Sequence, residues 1–576
     1  MEQREDISAD KLRGGYYTPE AIADFLVNWG MEISPSHILE PSCGDGIFIK
    51  ALQKFGLNDD SKLDDCNIQA IELVEEEAKK SKELFYDLVK STKMTGECTN
   101  SEFFEFTNEN YHSSKPLPRP NLILGNPPYI RYQSFINGRD LAEKRLLQIG
   151  VKTTKHANSW LHFLAESVSL LDTTKKSRIG FVIPTELLHI TYASHLRRWL
   201  ETHLTDIRII TFKNLVFEGI QQEVILFLGE RDPSIIDSKG FERGNLRLLE
   251  FEDVSSIPSN VWNHFNNKAP KAYQFQDKWT GYFLEKDELV TYHKLKKSYP
   301  SFTDHLSIDI GIVTGANKFF CIKKQELEKL GAVVGKEYPG VSIKRMMGRS
   351  NEVAGVRFTK ADFDKNFHLE KPCSFLYFDK NFEYKKLKSN WKEKIKIGEE
   401  LKLHQRYKCR IRDPWYCVPS VHFSELSMFK RASAYTRIIV NECEAYTTDT
   451  VYRINRLDES SDISPFQLAF SFFNSLTFLS SELEGRFYGG GVLELVPSEV
   501  EQTILPLSIR VTDEDFERLD KMIRDNVDID SILDFTDGKL LKKIPKRERF
   551  MIRNSWKKLR DRRSYRAKSK KREVES

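Results

Sequence analysis

Residues 122–129 read Leu-Ile-Leu-Gly-Asn-Pro-Pro-Tyr, so a short apolar run stops at a polar segment that contains two prolines. The run has the length of a buried parallel strand. Pro127 and Pro128 prevent its continuation as a helix or a central strand, because proline fixes φ and lacks a backbone N–H. We therefore predict a buried strand followed by a rigid loop. The carboxyl end of such a strand is where open α/β sheets bind ligands.

The loop after this strand offers a specific chemistry. Asn126 supplies a carboxamide oxygen and Pro127 a backbone carbonyl held at a fixed angle, so two acceptors are directed at one point. An exocyclic amine placed there would donate both hydrogens, which leaves its nitrogen richer in electrons for attack. Tyr129 adds a flat face on which a planar base could stack, worth about 1 to 3 kcal/mol. The alternative is an ordinary turn at the end of a strand.

A second strand and loop lie upstream. His37–Glu40 is a short apolar strand that leads into Pro41-Ser42-Cys43-Gly44-Asp45-Gly46 and then into an apolar helix start at Ile47. Glycines in such a loop let the backbone approach a ligand, although the third glycine of the dinucleotide fingerprint is missing. The next predicted strand, Asn67–Leu73, contains Glu72 near its end. This is the position where α/β folds place a carboxylate on ribose hydroxyls.

A third segment, Glu97–Phe106, carries an acidic residue followed by aromatic residues. The carboxylate of Glu102 could accept a hydrogen bond from the amino group of an adenine ring. Phe103 could pack on the face of the same ring. The segment therefore extends the predicted ligand site by one more strand.

A helix is predicted before the first strand. Its apolar residues recur at helical spacing, at Ile22, Phe25, Leu26 and Trp29. Thr18 is the predicted N-cap and Pro19 the first helical residue, after the segment Gly14–Tyr17. The free N–H groups and partial positive charge of a helix start suit a carboxylate. The alternative is a well-capped surface helix without a ligand.

In this order the segments resemble the catalytic domain of amino-group DNA methyltransferases. The resemblance is to the gamma-class, TaqI-type N6-adenine enzymes of type II restriction-modification systems. The shared order is the helix-start motif, the EPSCGDG loop, the ribose carboxylate, NPPY and a large C-terminal target-recognition region. The resemblance implies S-adenosylmethionine as the methyl donor, and no metal.

The resemblance also implies roles for individual residues. The carboxylate of the methyl donor would lie near Tyr17 and Thr18, its amino group near Glu40, its ribose on Glu72 and its adenine beside Glu102 and Phe103. Ser42 and Gly44 of the glycine-containing loop complete the predicted cofactor-binding set. The predicted catalytic set is Asn126, Pro127, Pro128, Tyr129 and Phe217, with Phe217 placed against the target base opposite Tyr129. The family usually has Asp at the position of Glu102.

The remaining predicted elements of this domain follow the same order. Asn158–Leu171 has the spacing of a buried helix, and Arg178–Pro184 that of a buried strand. The family often has Asp at the position of Asn158, where this chain has an amide. Leu215–Ile220, which contains the predicted aromatic Phe217, precedes another predicted strand, Val224–Leu228.

The predicted reaction is methyl transfer from S-adenosylmethionine to the exocyclic N6 of an adenine. Because a duplex hides this amine, the target nucleotide must be rotated out of the stack, at a cost of a few kcal/mol. The transfer is expected to be direct, with no covalent enzyme intermediate and no dedicated strong base. The product would protect DNA from a cognate restriction endonuclease.

Alternative activities fit the sequence less well than methylation of adenine N6. A cytosine-carbon methyltransferase needs a cysteine nucleophile, and the only Pro-Cys pair, Pro372-Cys373, lies far from the predicted cofactor loop. Cytosine N4 enzymes of related type favour Ser in place of Asn126, which makes N4-cytosine the alternative target. NPPY also occurs in protein-glutamine and some RNA methyltransferases, which usually have smaller C-terminal regions. A non-catalytic DNA-recognition subunit that retains the fold is the remaining alternative.

Length and composition indicate an α/β protein of more than one domain. The chain has 576 residues, of which 40% are hydrophobic. Its eight cysteines form no CxxC pair, so we predict neither a zinc site nor a disulfide framework. The sequence contains no apolar run of about 20 residues and no signal peptide, which predicts a cytoplasmic protein without a membrane partner.

We predict three regions. Residues 1–236 form a Rossmann-like S-adenosylmethionine-dependent methyltransferase domain with a doubly wound mixed sheet, and residues 237–540 form a mixed α/β target-recognition domain. Residues 541–576 form a basic helical tail with 16 Lys or Arg against 4 Asp or Glu, a net charge of +12 in a chain whose total is +4. Within this tail, Arg560–Arg566 could follow DNA phosphates, or the tail could be a frayed, solvated terminus.

The predicted partner is double-stranded DNA, bound by a monomer. Only about a dozen residues precede the first motif, so a fused nuclease is not expected, and any cognate endonuclease would be a separate chain. Candidates for reading bases in the major groove are Arg345, Arg349, Arg406, Arg410 and Arg412. The sequence does not predict the recognition site.

Overall fold

The structure is a computed structural model of the full chain. It describes residues 17–58, 63, 65–155, 157–217, 222–238, 241–267, 278–458, 462–488, 491–508 and 510–575. Gly14–Tyr16 and Glu218–Ile220, which belong to predicted segments, lie outside the described residues. The chain divides into two compact units, each of which is described by itself. The first consists of Met1–Phe283, Tyr488–Gly490 and Tyr565–Ser576, and the second of Leu284–Phe487 and Gly491–Ser564.

The first unit alternates helices and strands. Its helices are α1 (Glu20–Met31), α2 (Ile47–Asn58), α3 (Glu75–Ser91), α4 (Phe103–Asn110), α5 (Arg139–Gln148), α6 (Ser159–Leu170), α7 (Glu186–His189), α8 (Ser194–His203), α9 (Pro233–Ile236) and α10 (Val261–Asn267). Its strands are β1 (His37–Glu40), β2 (Asn67–Glu72), β3 (Thr95–Asn100), β4 (Leu122–Gly125), β5 (Ser177–Pro184), β6 (Asp206–Phe212), β7 (Val224–Arg231) and β8 (Asn245–Phe251).

The eight strands form one mixed sheet in the order β3-β2-β1-β4-β5-β7-β6-β8. Neighbouring strands are parallel except β7, which is antiparallel to both β5 and β6. All residues of β4 and β5 are buried, as expected for central strands covered on both faces. The strand order reverses at the β1–β4 pair, because the chain continues from β1 towards β2 but from β4 towards β5. An open α/β sheet has a ligand crevice at this point.

The predicted elements of this unit agree with the structure. His37–Glu40 has the predicted bounds, and the predicted Arg178–Pro184, Val224–Leu228 and Asn158–Leu171 differ from β5, β7 and α6 by at most three residues at an end. The helix start predicted at Pro19 was wrong in detail. Pro19 is the N-cap, α1 begins at Glu20, and no side chain caps the helix, so Thr18 is not the cap.

The end of the first unit lies beyond residue 236, where we predicted the domain boundary. β8 pairs in parallel with β6 over seven residues, from Asp206–Asn245 to Phe212–Phe251. This pairing adds β8 to the edge of the large sheet. The polar segment before β8 therefore connects two strands of one sheet, and the compact unit extends to Phe283.

The second unit is also mixed α/β. Its helices are α11 (Lys286–Ser298), α12 (Asn317–Phe320), α13 (Lys324–Lys329), α14 (Lys360–His368), α15 (Ser389–Glu400), α16 (Tyr407–Arg410), α17 (Pro465–Ser471), α18 (Ser475–Glu484), α19 (Pro497–Val500), α20 (Asp513–Arg524), α21 (Ile529–Leu540) and the start of α22 (Lys546–Glu575). Its strands are β9 (Leu306–Asp309), β10 (Cys321–Ile322), β11 (Glu337–Tyr338), β12 (Val341–Met347), β13 (Arg357–Phe358), β14 (Ser374–Phe378), β15 (Leu426–Phe429), β16 (Arg431–Ala432), β17 (Ile438–Asn441), β18 (Tyr446–Thr447), β19 (Val451–Arg456), β20 (Arg486–Tyr488) and β21 (Val492–Glu494).

Two five-stranded sheets organise this unit. One has the order β10-β14-β12-β11, with β18 paired to β12, and the other has the order β13-β17-β15-β19-β9. One apolar core, which includes Phe320, Ile343 and Trp391, packs under the first sheet, and a smaller core includes Phe358 and Ile439. β16, β21 and β20 form a third, three-stranded sheet.

The part of the basic C-terminal region that belongs to the second unit, up to Ser564, forms a helix that packs against this unit. Ile552, Trp556 and Leu559 of α22 are buried at helical spacing. Arg563 is 4% exposed; it donates from Nε and Nη2 to the Glu482 carboxylate at 3.1 and 2.7 Å and from Nη1 to the Ser433 carbonyl at 2.7 Å.

These contacts correct the expectation for the tail. Arg553 and Lys557 also face carboxylates, at 3.0 Å from Asp537 and 2.6 Å from Asp530. The interpretation of this part of the tail as a frayed, solvated terminus is wrong, because the apolar face of the helix is buried. Phosphate contact is wrong for Arg563, because its guanidinium is buried on an internal carboxylate.

Replacing Arg563 by Ala should lower the free energy of unfolding of the second unit by about 3 to 5 kcal/mol, because Glu482 would remain buried without its partner. Chemical denaturation of the full chain measures this loss. Lys521→Ala is the matched control, since Lys521 and Asp525 form an exposed pair on α20 that is worth about 0.5 kcal/mol. Equal losses in the two variants would contradict a stabilising role for the buried pair.

Candidate active site

A cavity of about 510 Å³ opens at the carboxyl ends of β1, β2 and β4, a size typical of small-molecule sites. We call it the site cavity. The predicted residues that line it are Tyr17, Thr18, Ser42, Gly44, Glu72, Glu102, Phe103, Asn126 and Pro128. Residues predicted from five separate segments therefore meet around one space. Glu40, Pro127, Tyr129 and Phe217 are not part of its lining.

The loop of residues 41–46, which we call the glycine loop, forms one wall. Gly44 and Gly46 have φ of +54° and +86°, a region that side chains with a Cβ rarely adopt. A Cβ on Gly44 would meet no heavy atom within 4 Å, so the loop leaves open space at this point. The backbone therefore borders the cavity directly, as the glycine pattern predicts.

Glu72 connects the glycine loop to the end of β2. Its Oε2 accepts a hydrogen bond from Gly44 N–H at 2.9 Å, and its Oε1 accepts one from Val74 N–H at 2.8 Å. Burial raises the pKa of this carboxyl, and the two backbone donors oppose that rise. Each carboxylate oxygen retains acceptor capacity towards the cavity.

Glu102 also lines the cavity and directly precedes α4. Its Oε2 accepts from Glu105 N–H at 2.9 Å, so the residue is also the N-cap of this helix. Burial raises the pKa of Glu102 to about 7, although backbone donors lower it. Gly138, at φ +68°, packs against this carboxyl, where a Cβ would come within 2.2 Å of it. A side chain at residue 138 would therefore displace Glu102.

Aromatic rings line the cavity together with Glu102. Phe103 and Phe163 stack with ring centroids 4.8 Å apart and 17° between their planes. Phe104 meets Phe163 edge-on at 5.0 Å. Two of these rings, Phe103 and Phe163, line the cavity and offer apolar faces to a planar ligand.

The loop of residues 126–129, which we call the NPPY loop, closes the cavity beside the glycine loop. Ser42 Oγ donates to the Asn126 backbone carbonyl at 3.2 Å, so the two loops are directly bonded. The Tyr129 hydroxyl lies 2.8 Å from Asn126 Oδ1 and 3.0 Å from the Val182 carbonyl. Tyr129 is 8% exposed, so its hydroxyl orients the carboxamide while little of its ring faces solvent.

Glu40 differs from its predicted place at the cavity. It is 1% exposed, and among the described residues neither carboxylate oxygen has a hydrogen-bond partner. Burial raises the pKa of this carboxyl well above its usual range, helped by the nearby Cys98, Glu72 and Asp45. Glu40 is therefore buried near Glu72 and Asp45 but is not part of the cavity lining.

Phe217 and Tyr17 show two different environments. Phe217 follows β6, is 5% exposed and contributes nothing to the cavity lining. Tyr17 is 59% exposed at the cavity mouth, where burial and the neighbouring Glu77 raise its pKa. Thr18 beside it is buried.

Sequence reasoning missed part of the wall. Ser134, Phe135, Ile136 and Asn137, from the segment after the NPPY loop, line the cavity, as does Phe163 on α6. Phe163 lies on the apolar face of a helix, where nothing distinguishes a core position from a cavity position. The segment 134–137 has no periodic pattern that could have indicated its place.

The other chemistries have weaker structural support. Cys373 is 1% exposed in the second unit, and burial raises its pKa to about 12, which disfavours the nucleophilic thiolate. Within the described ranges no three His, Cys, Asp or Glu residues are grouped so that they could hold a metal ion. No helix in the part of the chain that the structure describes is long and apolar enough to cross a membrane.

The sheet and the cavity together define the general class of the fold. The fold is mixed α/β with a large mixed sheet, and its cavity lies where such sheets bind ligands. Residues 66–217 match the family described as "Eco57I restriction-modification methylase". Residues 276–541 match "Type II methyltransferase M.Eco57I, C-terminal domain". These two segments are therefore similar to type II restriction-modification methyltransferases.

Individual type II methyltransferases are also similar in sequence to this chain. Type II methyltransferase M.HindII of Haemophilus influenzae is 23% identical over 347 residues, which is 56% of this chain and 58% of the relative. Type II methyltransferase M.BstVI of Geobacillus stearothermophilus is 20% identical over 361 residues, 55% of this chain and 61% of the relative. The chain thus spans about half the length of the curated relatives it matches.

Among solved structures, the type IIL restriction-modification enzyme MmeI in complex with DNA has a similar fold. Its TM-score is 0.52 at 12% identity, and the alignment covers 94% of this chain and 72% of MmeI. At this identity the likeness shows the fold alone.

The buried Glu102 should make stability depend on pH. Its pKa is about 7 in the folded state against 4.5 for an unperturbed carboxyl, so the folded state holds the proton more tightly. The contribution is present below about pH 4.5 and is lost as pH rises through 7, by at most about 3 kcal/mol. Denaturation of the full chain at pH 5 and pH 8 measures this.

Glu102→Gln should lose less stability between pH 5 and pH 8 than the wild-type chain does. Glu109→Gln, an exposed residue on the same helix, is the matched control and should follow the wild-type pH dependence. An unchanged pH dependence in Glu102→Gln would contradict the shifted ionisation.

Proposed function

We propose that this protein is a site-specific DNA methyltransferase that transfers a methyl group from S-adenosylmethionine to the exocyclic N6 of an adenine. The observation that carries the proposal is the shared cavity. Asn126 and Pro128 of the NPPY loop line the same space as Gly44, Glu72 and Glu102. A methyl donor bound by the glycine loop would thus lie beside the proposed amine-binding residues.

The residues present fit the proposed cofactor. Glu72 and Glu102 are acceptors that suit ribose hydroxyls and an adenine amine, and Phe103 and Phe163 offer apolar faces for the ring. Gly44 leaves open space that a side chain would occupy. Tyr17 and Thr18 also line the cavity, and we assign the carboxylate of the cofactor to a place beside them. Glu40 does not line the cavity, so it would act on the amino group of the cofactor only indirectly.

S-adenosylmethionine supplies an electrophilic methyl group on a sulfonium, so the protein has to position the attacking amine. The acceptors we assign to it are Asn126 Oδ1 and the Pro127 carbonyl. Hydrogen bonds to both would draw electron density onto the amine nitrogen, which forms the new N–C bond as the S–C bond breaks. The amine then releases one proton to solvent. The Tyr129 hydroxyl, 2.8 Å from Asn126 Oδ1, holds the carboxamide in orientation.

The second unit is the proposed target-recognition domain. Its match to the M.Eco57I C-terminal domain supports this assignment. Of the five candidate arginines, Arg349, Arg406 and Arg410 are exposed. Arg412 donates to the Thr314 carbonyl at 2.8 Å, and Arg345 donates to the Cys443 carbonyl at 3.3 Å. We therefore favour the three exposed arginines for contacts with DNA.

We further propose that the target adenine is rotated out of the duplex and that Phe217 and Tyr129 contact it. The buried state of both rings implies that they move when the base enters. A monomer acting in the cytoplasm beside a separate restriction endonuclease completes the proposal. The restriction-modification family of the matched segments supports this setting.

Asn126→Ala should reduce methyl transfer at least 1000-fold, because the carboxamide acceptor is lost. The dissociation constant for S-adenosylmethionine should change less than threefold, since Asn126 lies at the edge of the cavity. Transfer is measured with labelled cofactor and unmethylated duplex DNA, and binding by calorimetry. Substantial residual methylation would refute the assigned role.

The modified base is identified by digesting the labelled DNA to nucleosides. Label in N6-methyladenine within one short sequence motif is the expected result. Label in N4-methylcytosine would move the target while keeping the mechanism. Cofactor binding without transfer to DNA would favour the non-catalytic recognition subunit, and transfer to RNA or protein would mean that the second unit has another partner.

A further inference from the structure

The NPPY loop is held by a serine that no sequence motif indicates. Ser159, the first residue of α6, is fully buried. Its N–H donates to the Ile130 carbonyl at 2.9 Å, and its Oγ accepts from the Ile130 N–H at 2.9 Å. The same Oγ donates to the Pro128 carbonyl. One residue thus bonds at one point to the NPPY loop and at two points to Ile130, which directly follows it.

A second serine engages the loop from the other side. Ser42 of the glycine loop donates to the Asn126 carbonyl at 3.2 Å. The carbonyls of Asn126 and Pro128 are therefore both occupied by serine hydroxyls. No described residue donates a hydrogen bond to the carbonyl between them, that of Pro127. This carbonyl is the second acceptor in the proposed mechanism.

We infer that Ser159 is a positioning residue for methyl transfer, which rests on the function proposed above. Its hydroxyl occupies the Pro128 carbonyl and fixes the backbone that carries the Pro127 carbonyl. The acceptor pair of Asn126 Oδ1 and Pro127 C=O is then held in one geometry before the amine arrives. Ser159 does not line the cavity, so it acts through the loop and touches neither cofactor nor base.

Two physical arguments favour this role over simple packing. Proline backbone lacks an N–H, so residues 127 and 128 cannot donate hydrogen bonds that would fix the loop, and an outside donor must supply the contacts. Transfer also requires the acceptors at a defined place, and a displacement of about 1 Å can cost on the order of 100-fold in rate. A hydroxyl that bridges Pro128 C=O and Ile130 N–H provides this restraint.

The test compares Ser159→Ala with Ser167→Ala on the same helix. Ser167 is also fully buried, but its hydroxyl has no hydrogen-bond partner, so it is a matched control for the loss of a buried hydroxyl. We measure the single-turnover rate constant at saturating S-adenosylmethionine and DNA, the dissociation constant of the cofactor and the thermal midpoint.

Ser159→Ala is expected to lower the single-turnover rate constant at least tenfold relative to Ser167→Ala. The dissociation constant should stay within threefold of that of the control, because no cavity residue is changed. A rate constant equal to that of Ser167→Ala, or a loss of rate that occurs only at subsaturating cofactor, would overturn the inference. A fall in thermal midpoint without a fall in rate would also overturn it, since it would show packing alone.

Ser159→Cys keeps the test decisive if the alanine variant does not fold. Cysteine is close in size to serine, but its thiol is a weak donor and a weak acceptor. We expect at least a threefold lower rate constant with unchanged cofactor affinity, and a wild-type rate would contradict the role. If the wild-type chain transfers no methyl group to DNA, the proposed function itself fails, a result distinct from any difference between the variants.

Discussion

The site depends on the parallel pairing of β1 with β4. Ile38 pairs with Leu122 and Leu39 with Ile123, which brings the carboxyl ends of the two strands side by side. Asn121, just before β4, fastens the other end, since its Oδ1 accepts from the backbone N–H groups of Ser36 and His37 at 3.0 Å each. Because the chain continues from β1 and from β4 towards opposite edges of the sheet, a crevice forms at this pair of strands. The glycine loop and the NPPY loop owe their contact to this one pair of strands.

Buried carboxyls set the electrostatics of the crevice. Burial raises the pKa of Glu40, Glu72 and Glu102 alike, so the fold carries an ionisation cost at each of them. Backbone donors offset part of this cost at Glu72 and Glu102, whereas Glu40 has none. A ligand that presents hydroxyls or an amine would offset more, because hydrogen bonds to a carboxylate favour its charged form. The cavity therefore suits a ligand rich in donors, as the proposed nucleoside cofactor is.

The second unit shows why charge counted along a sequence is a poor guide to charge on a surface. The C-terminal region contributes +12, yet Arg553, Lys557 and Arg563 each meet a carboxylate within the unit. The helix period that places Ile552, Trp556 and Leu559 in the core also determines which cations face inward. Exposed arginines occur elsewhere in the unit, at Arg349, Arg406 and Arg410.

The sequence by itself determined the elements and the motifs, because those signals are local. Apolar runs of strand length, glycines that permit positive φ and prolines that end a strand indicated β1, β4 and their loops within a residue or two. The tertiary structure decided which side chains reach the cavity. It left Glu40 out of the cavity lining, oriented the Tyr129 hydroxyl on Asn126 and placed Ser159 against the NPPY loop. It also extended the first unit past the polar segment near residue 236. The physical reason is that a side chain's partner depends on which distant strands and helices pack beside it, and no residue pattern within one segment records that neighbour.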